Sequence, residues 1–245
     1  MKFRIFTCVF MIGLVMMIAS AAGAATLKVA VGLALPPYVI SENNTGMELD
    51  IVREVLKSKG YDIEPVYVPF ARVPLSIEKK EVDAALTVTE AANLKDTYFS
   101  ESHIMYQNVA VTLKENNVKI DSIADLKDKR VVAFQNATVY LGEEYKNIVS
   151  TNKNYSEVAK QENQVTLLFL NRADAIVMDI NIFKYYKKQV TKADTSKEVE
   201  IHSIFPESHY KVGFLDKAVM EKFNEGLKEL KASGRYDAII KSYIK

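Results

Sequence analysis

Cysteine is all but missing from this 245-residue chain: its one thiol, Cys8, lies close to the N-terminus. A lone thiol forms no internal disulfide, and Cys8 comes too early, and without small residues before it, to serve as a lipid-attachment site. Excess charge is also missing. The 32 basic and 31 acidic residues nearly cancel, so no basic surface selects nucleic acid. Beyond residue 18 no apolar stretch approaches the roughly 20 residues that cross a bilayer as a helix. Low-complexity linkers, long charge runs and internal repeats are absent. The three histidines, His103, His202 and His209, lack metal-ligand spacing and read as structural or surface residues. No cofactor is expected.

What is present begins with a leader. Lys2 and Arg4 precede an apolar run from Ile5 to Ile18, and small residues follow from Ala19 to Ala25. This is the plan of a secretory signal peptide, with cleavage after Ala24, or alternatively after Ala21. A retained anchor would want a polar stop-transfer flank, and none follows. Residues 1–24 are therefore read as signal, and the remainder as an exported, periplasmic protein without a thiol. Lys2 and Arg4 are two of the 32 basic residues, so the mature chain keeps 30 against 31 acidic ones.

The mature chain reads as alternating strands and helices. Leu27 to Gly32 forms a strand, and Pro36-Pro37 then enforces an extended loop that presents Tyr38. Asn44 or Thr45 caps a helix with Met47, Ile51, Val52, Val55 and Leu56 on one face, closed by Gly60. A strand at Tyr61 to Val68, a helix from about Arg72 to Lys80 and a strand at Val82 to Val88 complete a βαβαβ unit, which implies a parallel sheet. A second α/β unit follows. Its strands are Asn108 to Leu113, Arg130 to Phe134 and Ala173 to Met178, and its helices are Ser122 to Leu126, Thr138 to about Ile148, Ser156 to Leu170 and one after Asp179. Val199 to Phe205, Tyr210 to Leu215 and two final helices end the chain. In open α/β sheets ligands bind beyond the carboxyl ends of strands, which directs attention to Tyr38, Thr87, Thr89, Asn136 to Thr138, and Asp179.

Several segments, in order, carry a resemblance over essentially the whole mature chain: LALPPYVI from Leu33, GMELDIVREVL from Gly46, KKEVDAAL from Lys79 and TYFSESHIMYQNVAV from Thr97. They continue with IADLKDKRVVAFQNAT from Ile123, LNRADAIVMD from Leu170, YKVGFL from Tyr210, and a helix ending in LKASGRY. This order resembles the family-3 solute-binding proteins of polar amino-acid ABC transporters. The resemblance implies an α/β, two-lobed Venus-flytrap fold, each lobe a central sheet flanked by helices, with two hinge crossings. Lobe one would hold residues 25–110 and 211–245, and lobe two residues 111–210. It further implies hinge closure on a small-molecule ligand, an inner-membrane ABC permease as partner, and a monomer.

By the same resemblance, Asp179 accepts the ligand's α-ammonium; read from the residues alone it is equally a helix N-cap. Asn136 and Thr138 match a turn whose amides and hydroxyl bind the ligand carboxylate, though simple capping explains them too. Tyr38 and Phe70 match aromatic walls, with Tyr106 a weaker counterpart. The family's Thr-x-x-Arg, whose arginine grips the ligand carboxylate, is broken: after Thr89 come Ala92 and Asn93, and Asn93 offers only a neutral hydrogen bond. Arg72 either supplies the missing cation or is solvated in the first turn of its helix, and Lys95 is a poorer substitute. An ordinary α-amino acid is therefore a doubtful ligand. Two other functions stay in view. One is a free subunit presenting a ligand to a membrane sensor. The other is a dehydratase of cyclic acids, for which Glu90 or Glu101 would be the nearest acid.

Overall fold

The computed structural model describes residues 24–33 and 35–244, so all of the expected leader except Ala24, Cys8 included, lies outside the described residues. Strand β1 (Ala25–Gly32) runs into the buried trio Val29, Ala30 and Val31 and leads to helix α1 (Met47–Ser58). Six apolar side chains of α1, Met47, Leu49, Ile51, Val52, Val55 and Leu56, are buried, and each contributes about 1.5–3 kcal/mol by leaving water. That burial holds α1 on the sheet. The helix starts at Gly46, with φ at 129°, not at Asn44 or Thr45. A Cβ there would stand 2.3 Å from the Tyr38 carbonyl oxygen, so only glycine lets the helix start meet the Tyr38 loop. The Glu48 amide donates to that carbonyl at 3.0 Å and pins the loop.

Strand β2 (Tyr61–Val68), helix α2 (Val73–Glu78), strand β3 (Ala84–Val88) and the short β4 (Tyr98–Phe99) complete the sheet of the first lobe. β1 pairs in parallel with both β2 and β3. Then comes the long β5 (Ile104–Leu113), which starts four residues earlier than the sequence pattern predicts and passes into the second lobe. There follow β6 (Val131–Phe134), α3 (Ala137–Tyr140), α4 (Gly142–Ser150), β7 (Tyr155–Val158), α5 (Gln161–Phe169), β8 (Ala175–Asp179), α6 (Ile180–Gln189) and β9 (Val199–His202). The single helix expected from Thr138 is broken at Gly142, whose φ is 88°. The helix expected from Ser156 is instead β7 followed by α5. Four residues of strand pattern are too few to read, and pairing with β6 decides the outcome.

The chain returns through β10 (Glu207–Phe214), and α7 (Lys217–Ala232) and α8 (Arg235–Tyr243) pack on α1. Arg235 pairs with Glu54 at 2.9 Å there. The sheet order is β2-β1-β3-β10-β5-β8-β6-β7, with β4 on β10 and β9 on β5. Two strands therefore cross between lobes. Residues Ile104 to Gln107 of β5 pair with Glu207 to Tyr210 of β10, whereas Asn108 to Val111 pair with β8. From Lys211 onward β10 pairs with β3. The carboxyl ends of β1, β3, β6 and β8 face the cleft between the lobes.

Candidate functional site

Asp179 is the last residue of β8 and the N-cap of α6, so capping and a place in the cleft coexist. It is 3% exposed. Its Oδ1 accepts the amides of Asn181 at 2.8 Å and Ile182 at 3.0 Å, and its Oδ2 accepts the Gln107 amide at 2.9 Å and the Tyr38 hydroxyl at 3.0 Å. Tyr38 belongs to the first lobe, so this last bond joins the lobes. Asn181 Nδ2 donates to the same hydroxyl at 3.1 Å. Tyr38 is wholly buried and stacks on Tyr106, ring centroids 3.6 Å apart.

Behind Tyr106 lies a carboxylate that the sequence reading passed over. Glu48 of α1 is fully buried; its Oε1 accepts the Thr87 hydroxyl at 2.7 Å and contacts His103 Nε2 at 2.9 Å, and its Oε2 accepts the Tyr106 hydroxyl at 2.9 Å. Glu48, Tyr106, Tyr38 and Asp179 thus form one chain of contacts from the first lobe to the second. The signal for Glu48 was available: it lies on the same helical stripe as Ile51, Val52 and Val55.

In front of Asp179 opens a cavity of about 220 Å³, lined in part by Phe70, Tyr106, Asn108, Phe134, Gln161 and Tyr210. It is smaller than the roughly 300–1,000 Å³ of pockets for drug-sized ligands, which limits it to a small solute. A second cavity, of about 380 Å³, has Thr87, Thr89, Ala92 and Tyr140 in its walls. Phe70 and Tyr210 line both cavities, and Phe70 of the first lobe meets Tyr140 of the second at 5.3 Å between ring centroids. Among the described residues lining the two, none is lysine, arginine or histidine.

Of the candidates named from sequence, Phe70, Thr87, Thr89, Tyr106, Asn136 and Asp179 line one or both cavities. Tyr38 and Thr138 stand behind the walls. Arg72 and Asn93 are exposed and line neither. Phe70 to Arg72 form one tight 3₁₀ turn, so Phe70 points inward and Arg72 outward; Arg72 does not replace the family's arginine in this structure. Asn136 takes the left-handed conformation, with φ at 64°. Three donors of its turn, however, are already satisfied within the chain. Glu157 of β7 accepts the Asn136 amide at 2.7 Å and the Thr138 amide and hydroxyl at 3.2 Å each, and Tyr155 donates to it at 2.7 Å. The carboxylates weighed as catalytic acids, Glu90 and Glu101, are exposed, and Glu90 pairs with Lys211.

Burial raises Asp179 from an ordinary 3.8 to about 6, against the opposing pull of its four hydrogen bonds. Between about pH 4 and 6 the folded protein therefore holds a proton that the unfolded chain has released. The contribution of Asp179 to stability increases as pH falls through that window, and at pH 7 its buried charge costs about 3 kcal/mol. Affinity for a cation moves the other way. It should be flat above pH 6 and fall about tenfold per pH unit below, as calorimetric titration from pH 4.5 to 8 would show, with Asp179→Asn lacking this dependence.

Residues 27–245 match the sequence profile of the bacterial extracellular solute-binding proteins, family 3. The chain belongs to that family. A curated relative, a probable histidine-binding protein of Campylobacter jejuni, is 26% identical over 231 residues, which cover 89% of this chain and 84% of the relative. The arginine-binding extracellular protein ArtP of Bacillus subtilis is 24% identical over 215 residues, covering 84% and 80%. Among solved structures, an ancestral arginine-binding protein bound to glutamine superposes with a TM-score of 0.71 at 25% identity, covering 89% of this chain and 97% of that one. Two lobes joined by two crossing strands are thus the architecture of this family-3 chain. Among its described residues no helix is long and apolar enough to cross a membrane.

Proposed function

We propose that this family-3 protein captures a small polar solute, an amino acid or an amino-acid-like or amine compound, in the periplasm and presents it to an ABC permease of the inner membrane. The observation that carries this reading is Asp179, a carboxylate buried in the wall of a small cavity at the junction of the lobes. Ligand contacts from both lobes would favour the closed state over the open one, which is the form a permease would recognise. Similarity to a probable histidine-binding protein and to an arginine-binding protein supports the solute class. We read the chain as a binding protein without catalytic activity, since neither Glu90 nor Glu101 lines a cavity wall.

A thermal-shift screen of the purified protein against amino acids, amines, polyamines, organic acids and small peptides tests the reading. A true ligand at 100 times its dissociation constant stabilises the folded state by about 2.7 kcal/mol. For a chain of this size that corresponds to a rise of roughly 5–11 °C in Tm. No shift from any compound would remove the reading.

A further inference from the structure

Among the described residues that line the smaller cavity, Asp179 is the one group carrying charge at neutral pH. An ionised carboxylate offers about four acceptor sites, and four donors already occupy those of Asp179. A primary ammonium, which binds through N–H donors, must displace one of them. A nitrogen that carries alkyl groups in place of hydrogens needs no acceptor; it needs negative potential and apolar contact. The cavity supplies both. Phe70, Tyr106, Phe134 and Tyr210 line it beside the carboxylate, and aromatic faces attract alkylated cations while shielding them from water. Burial holds the Tyr106 and Tyr210 hydroxyls in their neutral form, so the rings add no second charge.

The opposite end of an amino acid finds no cationic partner among the described residues. No basic side chain lines the cavity among the described residues, and the Asn136 amide and the Thr138 amide and hydroxyl close on Glu157. A ligand carboxylate brought to that turn would meet the Glu157 charge in place of free amides. We propose that the cavity selects a small, N-alkylated ammonium cation without a free carboxylate, with Asp179 and the aromatic walls as its receptor and Glu157 as the residue that turns carboxylates away. This rests on the reading of the chain as a solute-binding protein and narrows its ligand class.

Titration calorimetry of the purified protein with four probes tests it: choline, its primary-amine counterpart ethanolamine, glycine betaine, which adds a carboxylate to the same trimethylammonium head, and L-arginine. Choline is expected to bind at least tenfold tighter than ethanolamine and at least tenfold tighter than betaine. Phe134→Leu should weaken choline at least fivefold with the thermal transition retained, and Glu157→Gln should narrow the gap between choline and betaine. Ethanolamine binding as tightly as choline would overturn the N-alkyl preference, and L-arginine binding most tightly would overturn the exclusion of carboxylates. Both of those results leave the solute-binding reading intact. If none of the four probes binds and the broad thermal-shift screen is also silent, the proposal and that reading fall together.

Discussion

Replacing Asp179 with asparagine should weaken the tightest-binding cation at least a hundredfold while the protein stays folded. Removing one partner of a buried charge pair costs about 3–5 kcal/mol, because the remaining charge is left in a poorly solvating site. Here the remaining charge would be the ligand's. The fold should survive because the asparagine Oδ1 still accepts the Asn181 and Ile182 amides, now made at 2.8 and 3.0 Å, so the cap on α6 is kept. The substitution also removes the cost of burying an ionised carboxylate at neutral pH. Calorimetric titration paired with thermal denaturation separates the two effects. A variant that kept wild-type affinity would show that Asp179 is only a helix cap.

The other large effect is expected on stability. Glu48→Ala should lower the thermal transition by roughly 6–20 °C, the equivalent of about 3–5 kcal/mol for a chain of this length. Alanine strands the buried Thr87 and Tyr106 hydroxyls and His103 Nε2, and each unsatisfied buried polar group costs about 1–3 kcal/mol. Glu48→Gln keeps the shape and one acceptor oxygen, so it should recover a good part of the loss. The alanine variant should also bind more weakly, because Tyr106 carries Tyr38 on its face and Tyr38 reaches Asp179. An alanine variant as stable as the parent would mean that the Glu48 cluster merely fills space.

Much of the first lobe was legible because β1, α1 and β2 are long. The stripe of α1, the apolar β1 and the Pro-Pro loop before Tyr38 each state their structure locally, and the ends of strands pointed to Tyr38, Thr87, Thr89 and Asp179. The failures share a cause. Glu157 escaped notice because a four-residue edge strand looks like the start of the following helix, and only pairing with β6 turns its carboxylate toward the Asn136 turn. Arg72 looked like a replacement cation because it lies two residues from Phe70, but a 3₁₀ turn sends the two side chains to different sides.

The sequence by itself determined that the chain is α/β, that it reads as an exported protein with no thiol beyond its leader, that it resembles family 3, and that an arginine is missing where that family grips a carboxylate. Local periodicity and composition suffice for such statements, since they depend on neighbours along the chain. Only the tertiary structure decided where the charges face: that Glu48 lies buried under Tyr106, that Glu157 fills the turn at Asn136, and that Asp179 has its acceptor sites occupied within a wall of aromatic rings. The Glu157–Asn136, Glu48–Tyr106 and Asp179–Tyr38 contacts join residues 21, 58 and 141 positions apart, and the last exists because two crossing strands bring the lobes face to face.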